Sequence, residues 1–271
     1  MAIAKRLAMK RRDLIRGVGS LALLGVSPNF AQVLDLNDAI NKAGRQRMLS
    51  QRAAKAYLAT GQGLLGERSR EVLGTSIALF DRQLAELKAY APTPEIRDTY
   101  TLLESAWSDY RAVLAGRAPS REGAPALIAL DSKVLTLAHK GTVQLEQLSG
   151  RPVGRLVNVA GRQRMLSQRV AKFYLALAWK AEVPNAATEI DKARAEFVQA
   201  LDLLHNAPEA TASIRRELEL ARNQWVFYES AIAQRGVDTA MPERCSNVFL
   251  SSENILTVMD KVTGLYAQAI G

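Results

Sequence analysis

The chain has 271 residues, 48% of them hydrophobic and 23% charged. That is enough apolar material for one large or two modest domains and too much for a disordered chain. Its formal charge of +9 suggests nucleic acid only until it is located: Lys5, Arg6, Lys10, Arg11, Arg12 and Arg16 face one acid, Asp13, within the first 31 residues, and the rest carries only +4. So small an excess beyond the first 31 residues argues against a nucleic-acid partner.

Residues 1–31 form the first element. Lys10-Arg11-Arg12-Asp13-Leu14-Ile15-Arg16 resembles a twin-arginine signal, followed by the apolar stretch Gly17 to Val26 and a cleavage site near Ala31-Gln32. The apolar run is far shorter than the roughly 20 residues a membrane span needs. The expectation is an exported, periplasmic protein, tethered to the membrane if the leader is not cleaved. No Cys lies near the cut for lipidation, and Cys245 is the only thiol, so no internal disulfide is available.

Beyond the leader, apolar residues recur at three- and four-residue spacing, punctuated by Pro, Gly and short polar clusters, with no run of alternating β-branched residues. This predicts an all-α protein with helices over 36–60, 67–90, 94–115 and 123–149, then 153–182, 186–205, 209–235 and 242–270. Short connections between helices of this length imply antiparallel neighbours. The expected fold is two tandem up-and-down four-helix units, residues 32–150 and 151–271, packed as a pseudo-two-fold bundle. Leu79, Leu84, Leu87, Leu102, Leu103, Trp107 and Tyr110 are expected in its core.

The two units are copies. Ala43-Gly-Arg-Gln-Arg-Met-Leu-Ser-Gln-Arg52 recurs unchanged as Ala160 to Arg169, 117 positions later. Elsewhere the match is looser: Phe80 with Phe197, Trp107-x-x-Tyr110 with Trp225-x-x-Tyr228, and Leu135-Thr136 with Leu256-Thr257. A period of this size is a duplicated domain rather than a solenoid repeat. One block held identical while its surroundings drifted is a candidate site.

On a helix, Arg47 falls on the side of Ala43, Ala54 and Leu58, whereas Arg45 and Arg52 fall opposite, where solvent or a salt bridge can satisfy them. Arg164 stands in the same relation to Arg162 and Arg169. A buried guanidinium is costly without a negative partner, and no acid lies between Asp38 and Glu67 or between Glu146 and Glu182. The partner is therefore on another helix or is a ligand. Arginine's planar fork suits a small planar oxyanion. Gly44 and Gly161 permit a close helix contact, at positions where Gly costs about 1 kcal/mol relative to Ala. Two such helices about a pseudo-two-fold axis would bring Arg47 and Arg164 together around one anion, with Ser50, Ser167, Gln51 and Gln168 as neighbouring polar groups. The plain alternative is a carboxylate on a neighbouring helix, such as Asp81, Glu86, Glu104, Asp131 or their counterparts.

The same block carries a resemblance. Asp38-Ala-Ile-Asn-Lys-Ala-Gly-Arg-Gln-Arg-Met-Leu-Ser-Gln-Arg52 looks like the P-box of NarX-type nitrate/nitrite sensor kinases, and the ten-residue core closely resembles the N-terminal domain of PilJ, the type IV pilus chemotaxis transducer. The resemblance implies a periplasmic helical bundle in which nitrate binds between two P-box helices, held by the arginine three residues after the glycine, here Arg47 and Arg164. The chain departs from the nitrate sensors in carrying Arg-Gln between glycine and arginine, which leaves the anion's identity open. With no kinase, HAMP or methyl-accepting segment within its 271 residues, any output is expected to pass through a membrane sensor kinase or chemoreceptor. A homodimer is the other association open to it.

No enzyme is expected. His139 and His205 have no clustered acids or thiols, and HExxH, CxxC, P-loop and GxSxG patterns are missing, so no cofactor or metal is expected either. Two functions follow: a non-enzymatic sensor of a small anion, nitrate or nitrite foremost, or a ligand-independent module that docks on a kinase or chemoreceptor, for which exposed Arg45, Arg52, Arg162 and Arg169 would serve.

Overall fold

The structure is a computed structural model and describes residues 32–233 and 241–269. The export leader proposed for residues 1–31 lies outside the described residues. The described residues form eight helices: α1 (Leu36–Gly61), α2 (Glu67–Tyr90), α3 (Pro94–Gly116), α4 (Ala124–Ser149), α5 (Pro152–Ala178), α6 (Ala186–Asn206), α7 (Ala212–Ala233) and α8 (Met241–Gln268). Among the described residues there is no strand, and no helix is long and apolar enough to cross a membrane.

Their ends have local causes. Asp35 caps α1 by accepting from Asp38 N at 2.8 Å, and Thr93 caps α3 from Ile96 N at 3.3 Å, ahead of Pro94 in the first turn. Gly150 ends α4 in the left-handed region (φ 60) and Pro152 starts α5 two residues later. Two boundaries differ from expectation by more than two residues. α5 stops at Ala178 rather than 182, because Lys180 turns left-handed (φ 56). α7 begins at Ala212 rather than 209, where the Thr211 side chain accepts from Ile214 N at 3.2 Å.

Within each copy the four helices neighbour one another in sequence order, and both copies share one continuous apolar core. The seam is the α1–α5 pair. These helices run parallel and in matching register: Gly44 meets Gly161 near one end, and at the other Gln62 Nε2 donates to the Leu175 carbonyl at 3.2 Å. α4 flanks the seam on one side and α8 on the other. Each copy repeats the same internal packing. Phe80 stacks on Trp107 at 3.7 Å and Phe197 on Trp225 at 3.9 Å; Tyr110 donates to Ser50 O at 3.0 Å and Tyr228 to Ser167 O at 2.7 Å.

One expected core residue is not there. Leu102 is 54% exposed, because the buried stripe of α3 runs through Ile96, Tyr100, Leu103, Trp107 and Tyr110, and Leu102 sits about a quarter turn off it. The other six expected residues are buried, except Leu79, which is half-buried.

Candidate functional site

The seam places the repeated block at the centre of the molecule. α1 is buried on nearly every side from Ala39 to Ala59 although much of it is polar, so its polar groups need partners inside the protein. Arg47 and Arg164 are both 0% exposed. A methyl group built on Gly44 would lie 3.2 Å from Arg47 Nη2 and 3.4 Å from Arg164 Nη2, so the two guanidinium ends are within about 7 Å of each other. The glycines ease this approach: a methyl on Gly44 or Gly161 would crowd the nearer arginine end, at 3.2 and 3.1 Å. At that separation, two unit charges repel by roughly 2 kcal/mol at an effective dielectric near 20.

The two arginines hold crosswise. Arg47 Nη2 donates to the Asn158 carbonyl on α5 at 3.2 Å, and Arg164 Nη2 donates to the Asn41 carbonyl on α1 at 3.0 Å. Beyond these contacts the symmetry breaks. Arg164 Nη1 reaches Asp260 Oδ1 on α8 at 2.5 Å, and Arg45 Nη2 reaches the same oxygen at 2.8 Å. Arg47 Nη1 meets His139 Nδ1 on α4 at 3.3 Å, and no carboxylate contacts it among the described residues. The Nε atoms of both arginines are buried without partners. For Arg164 the plain alternative, a carboxylate on a neighbouring helix, therefore holds; for Arg47 it does not.

Electrostatics follow the geometry. Burial, then the charges of Arg162 and Arg164, pull the Arg47 guanidinium down to about 9, while burial and Arg45 set Arg164 at about 10 against the pull of Asp260. Both stay charged at neutral pH. Burial, helped by Arg47 and Arg162, holds the His139 imidazole down to about 4. The ring is then neutral and offers Arg47 a lone pair without a charge.

One turn further along, the seam carries a second network. Lys172 Nζ donates to Asp131 Oδ2 at 2.6 Å and to Gln51 Oε1 at 2.7 Å, and Gln51 Nε2 donates to Asp131 Oδ1 at 2.7 Å. Its mirror is Lys55 Nζ, at 2.8 Å from Ser252 Oγ and 2.7 Å from Glu253 Oε1, with Gln168 Nε2 donating to Ser252 O at 2.8 Å. Each lysine crosses to the other copy. Ser50 and Ser167 donate to the carbonyls of Arg47 and Arg164 at 3.0 and 2.9 Å. Of the eight candidate residues, then, Gly44, Gly161, Arg47 and Arg164 converge, whereas the serines and glutamines bond to helix backbone and to the lysine network.

The outer arginines are not the exposed set expected of them. Arg45 pairs with Asp260, Arg52 with Glu253 at 2.6 Å, Arg162 with Glu196 and Arg169 with Glu189, and all four are half-buried. The side of α1 that reads as solvent-facing is covered by α8, which belongs to the other copy. His139 is the residue that sequence reasoning missed. Counting four residues on from the matched Leu135-Thr136 and Leu256-Thr257 pairs sets His139 against Asp260, the two groups that separate the copies. His205 is elsewhere, 3.1 Å from Glu219. Among the described residues no three His, Cys, Asp or Glu side chains group as metal ligands would.

No curated protein and no solved structure matches the chain significantly. The family described as "Type IV pili methyl-accepting chemotaxis transducer N-term" (PilJ) matches it twice, over residues 29–130 and 149–262, which is most of the chain and both copies. Each copy thus matches a signalling module of chemoreceptor type, and the chain belongs to the PilJ family.

Proposed function

We propose that the protein is a non-enzymatic periplasmic sensor of a small planar oxyanion, nitrate or nitrite foremost, exported by the leader in residues 1–31 and signalling through a separate membrane kinase or chemoreceptor. One observation carries this reading: two fully buried guanidinium groups face each other at the Gly44–Gly161 contact, and among the described residues only Arg164 has a carboxylate, Asp260, in contact with it. A buried cation without a counter-ion is costly, so a diffusible anion that supplies the missing charge binds with a favourable electrostatic term. Arginine's in-plane fork favours two coplanar oxygens over a spherical halide. Binding at the seam touches both copies, which lets occupancy alter how they pack and so gives a partner something to read.

Thermal melting with millimolar nitrate, nitrite, chloride and sulfate tests this. A ligand at 100 times its dissociation constant adds about 2.7 kcal/mol, which for a domain of this size raises Tm by about 5 to 10 °C. Nitrate or nitrite is expected to give that shift and chloride to give none. A melting temperature indifferent to all four anions sinks the sensor reading and leaves the ligand-independent docking module.

A further inference from the structure

We infer that Asp260 is a built-in counter-ion closing one of two equivalent positions at the seam, so that the chain takes one planar monoanion, at the Arg47–His139 position alone. This rests on the reading above that the arginine pair binds an anion, and adds where it binds and how many are bound.

The internal symmetry identifies what is missing. Asp260 is gripped by one arginine from each copy, Arg164 at 2.5 Å and Arg45 at 2.8 Å. The pseudo-equivalent residue, His139, has Arg47 on its Nδ1 at 3.3 Å and lies in the field of Arg162, again one arginine from each copy. Where copy two has a carboxylate between two guanidinium groups, copy one has a neutral ring. A carboxylate is a planar monoanion with two coplanar oxygens, the shape shared by formate, nitrite and nitrate. The site's own symmetry mate thus defines the ligand class.

Two further features belong to the Arg47 position only, beside an exposure to solvent that His139 shares with the Asp260 side chain. Tyr100, within the field of Arg47, has a buried hydroxyl with no partner, and the corresponding residue of copy two, at the offset set by Trp107 and Trp225, is Leu218. Gly141 lies against that ring, 3.2 Å from a methyl built on it to Tyr100 Cζ, where copy two has Val262. The nearby acids are engaged: Glu146 accepts from Asn158 Nδ2 and Glu196 pairs with Arg162. Arg47 Nε and the Tyr100 hydroxyl are left as donors for an incoming oxyanion.

Isothermal titration with nitrate, nitrite and formate tests the inference on three chains. Wild type is expected to bind one equivalent. His139→Asp, which copies the tethered carboxylate of copy two, is expected to lose at least 100-fold in affinity while melting at a higher temperature without anion. Asp260→Ala is expected to bind two equivalents and to recover stability in formate; if that variant does not fold, His139→Asp still decides. Two equivalents on wild type, or undiminished binding by His139→Asp, overturns the inference and leaves the sensor reading intact. No binding of any of the three anions by wild type overturns both.

Discussion

Removing Asp131 should produce one of the largest losses of stability open to a single substitution in this chain. Its two oxygens serve Lys172 at 2.6 Å and Gln51 at 2.7 Å, and neither member of the Lys172–Asp131 pair is more than 1% exposed. Asp131→Ala leaves a buried ammonium without its counter-ion and a buried amide without its acceptor. Breaking a buried pair costs about 3–5 kcal/mol, and the ceiling can be worked independently. Lys172 escapes the penalty by shedding its proton, which from an ordinary value of 10.5 costs about 5 kcal/mol at pH 7. The expected loss is therefore about 4 to 5 kcal/mol, near 10 to 20 °C in Tm for a domain of this size. Burial lowers the Lys172 value in the folded variant while the unfolded chain keeps its own, so the unfolded state holds more protons and the variant gains stability as pH rises towards 10. Urea denaturation of wild type, Asp131→Ala and Asp131→Ala/Lys172→Met at pH 7 and pH 9.5 reads all of this. The double variant should recover most of the loss. A loss below about 1 kcal/mol, or a deficit that does not shrink at pH 9.5, would refute the reasoning.

Glu253 gives the opposite pH limb. Burial works to raise its value, but Lys55 and Arg52 overcome that and hold it near 2, against an ordinary 4.5; its stabilisation, about 3 kcal/mol, is complete above pH 4.5 and lost as pH falls towards 2. Glu253→Gln should melt earlier at pH 7 and show a flatter acid limb in a Tm-against-pH series. Tyr100→Phe removes a buried hydroxyl that has no partner in the chain, so the protein without anion should gain up to about 1 kcal/mol while nitrate affinity falls about tenfold; calorimetry and titration moving the same way would contradict its role. Gly61→Ala would place a methyl 2.3 Å from Trp179 Cη2 and 2.7 Å from Pro119 Cβ. The overpacking, about 1–3 kcal/mol, exceeds the roughly 1 kcal/mol gained in helix propensity, so Tm should fall, and a rise would mean that the indole moves aside freely.

Helix number and most helix ends were legible because Pro92-Thr-Pro94, Gly150-Arg-Pro152 and similar clusters act through backbone chemistry that needs no tertiary context. The separation of Arg47 from Arg45 and Arg52 was legible for the same reason, being fixed by helical angle. What covers each face was not. Arg52 and Lys55 find Glu253, and Lys172 finds Asp131, across the copy boundary, and nothing within α1 or α5 specifies which helix of the other copy lies alongside. Leu102 misled because apolar character is only a weak guide to burial when the neighbouring Leu103 already occupies the stripe. The pairing of His139 with Asp260 was present in the sequence, as a difference between copies rather than a likeness, and a search for repeats passes over differences.

The central claim is that the seam binds an anion at Arg47. A crystal structure of the protein grown with saturating nitrate, refined beside one grown without it, addresses this directly. The account predicts planar density beside His139 with oxygens within about 3 Å of Arg47 Nε and the Tyr100 hydroxyl, with Asp260 still seated on Arg164. Identical, anion-free density around both arginines in the two crystals would contradict it.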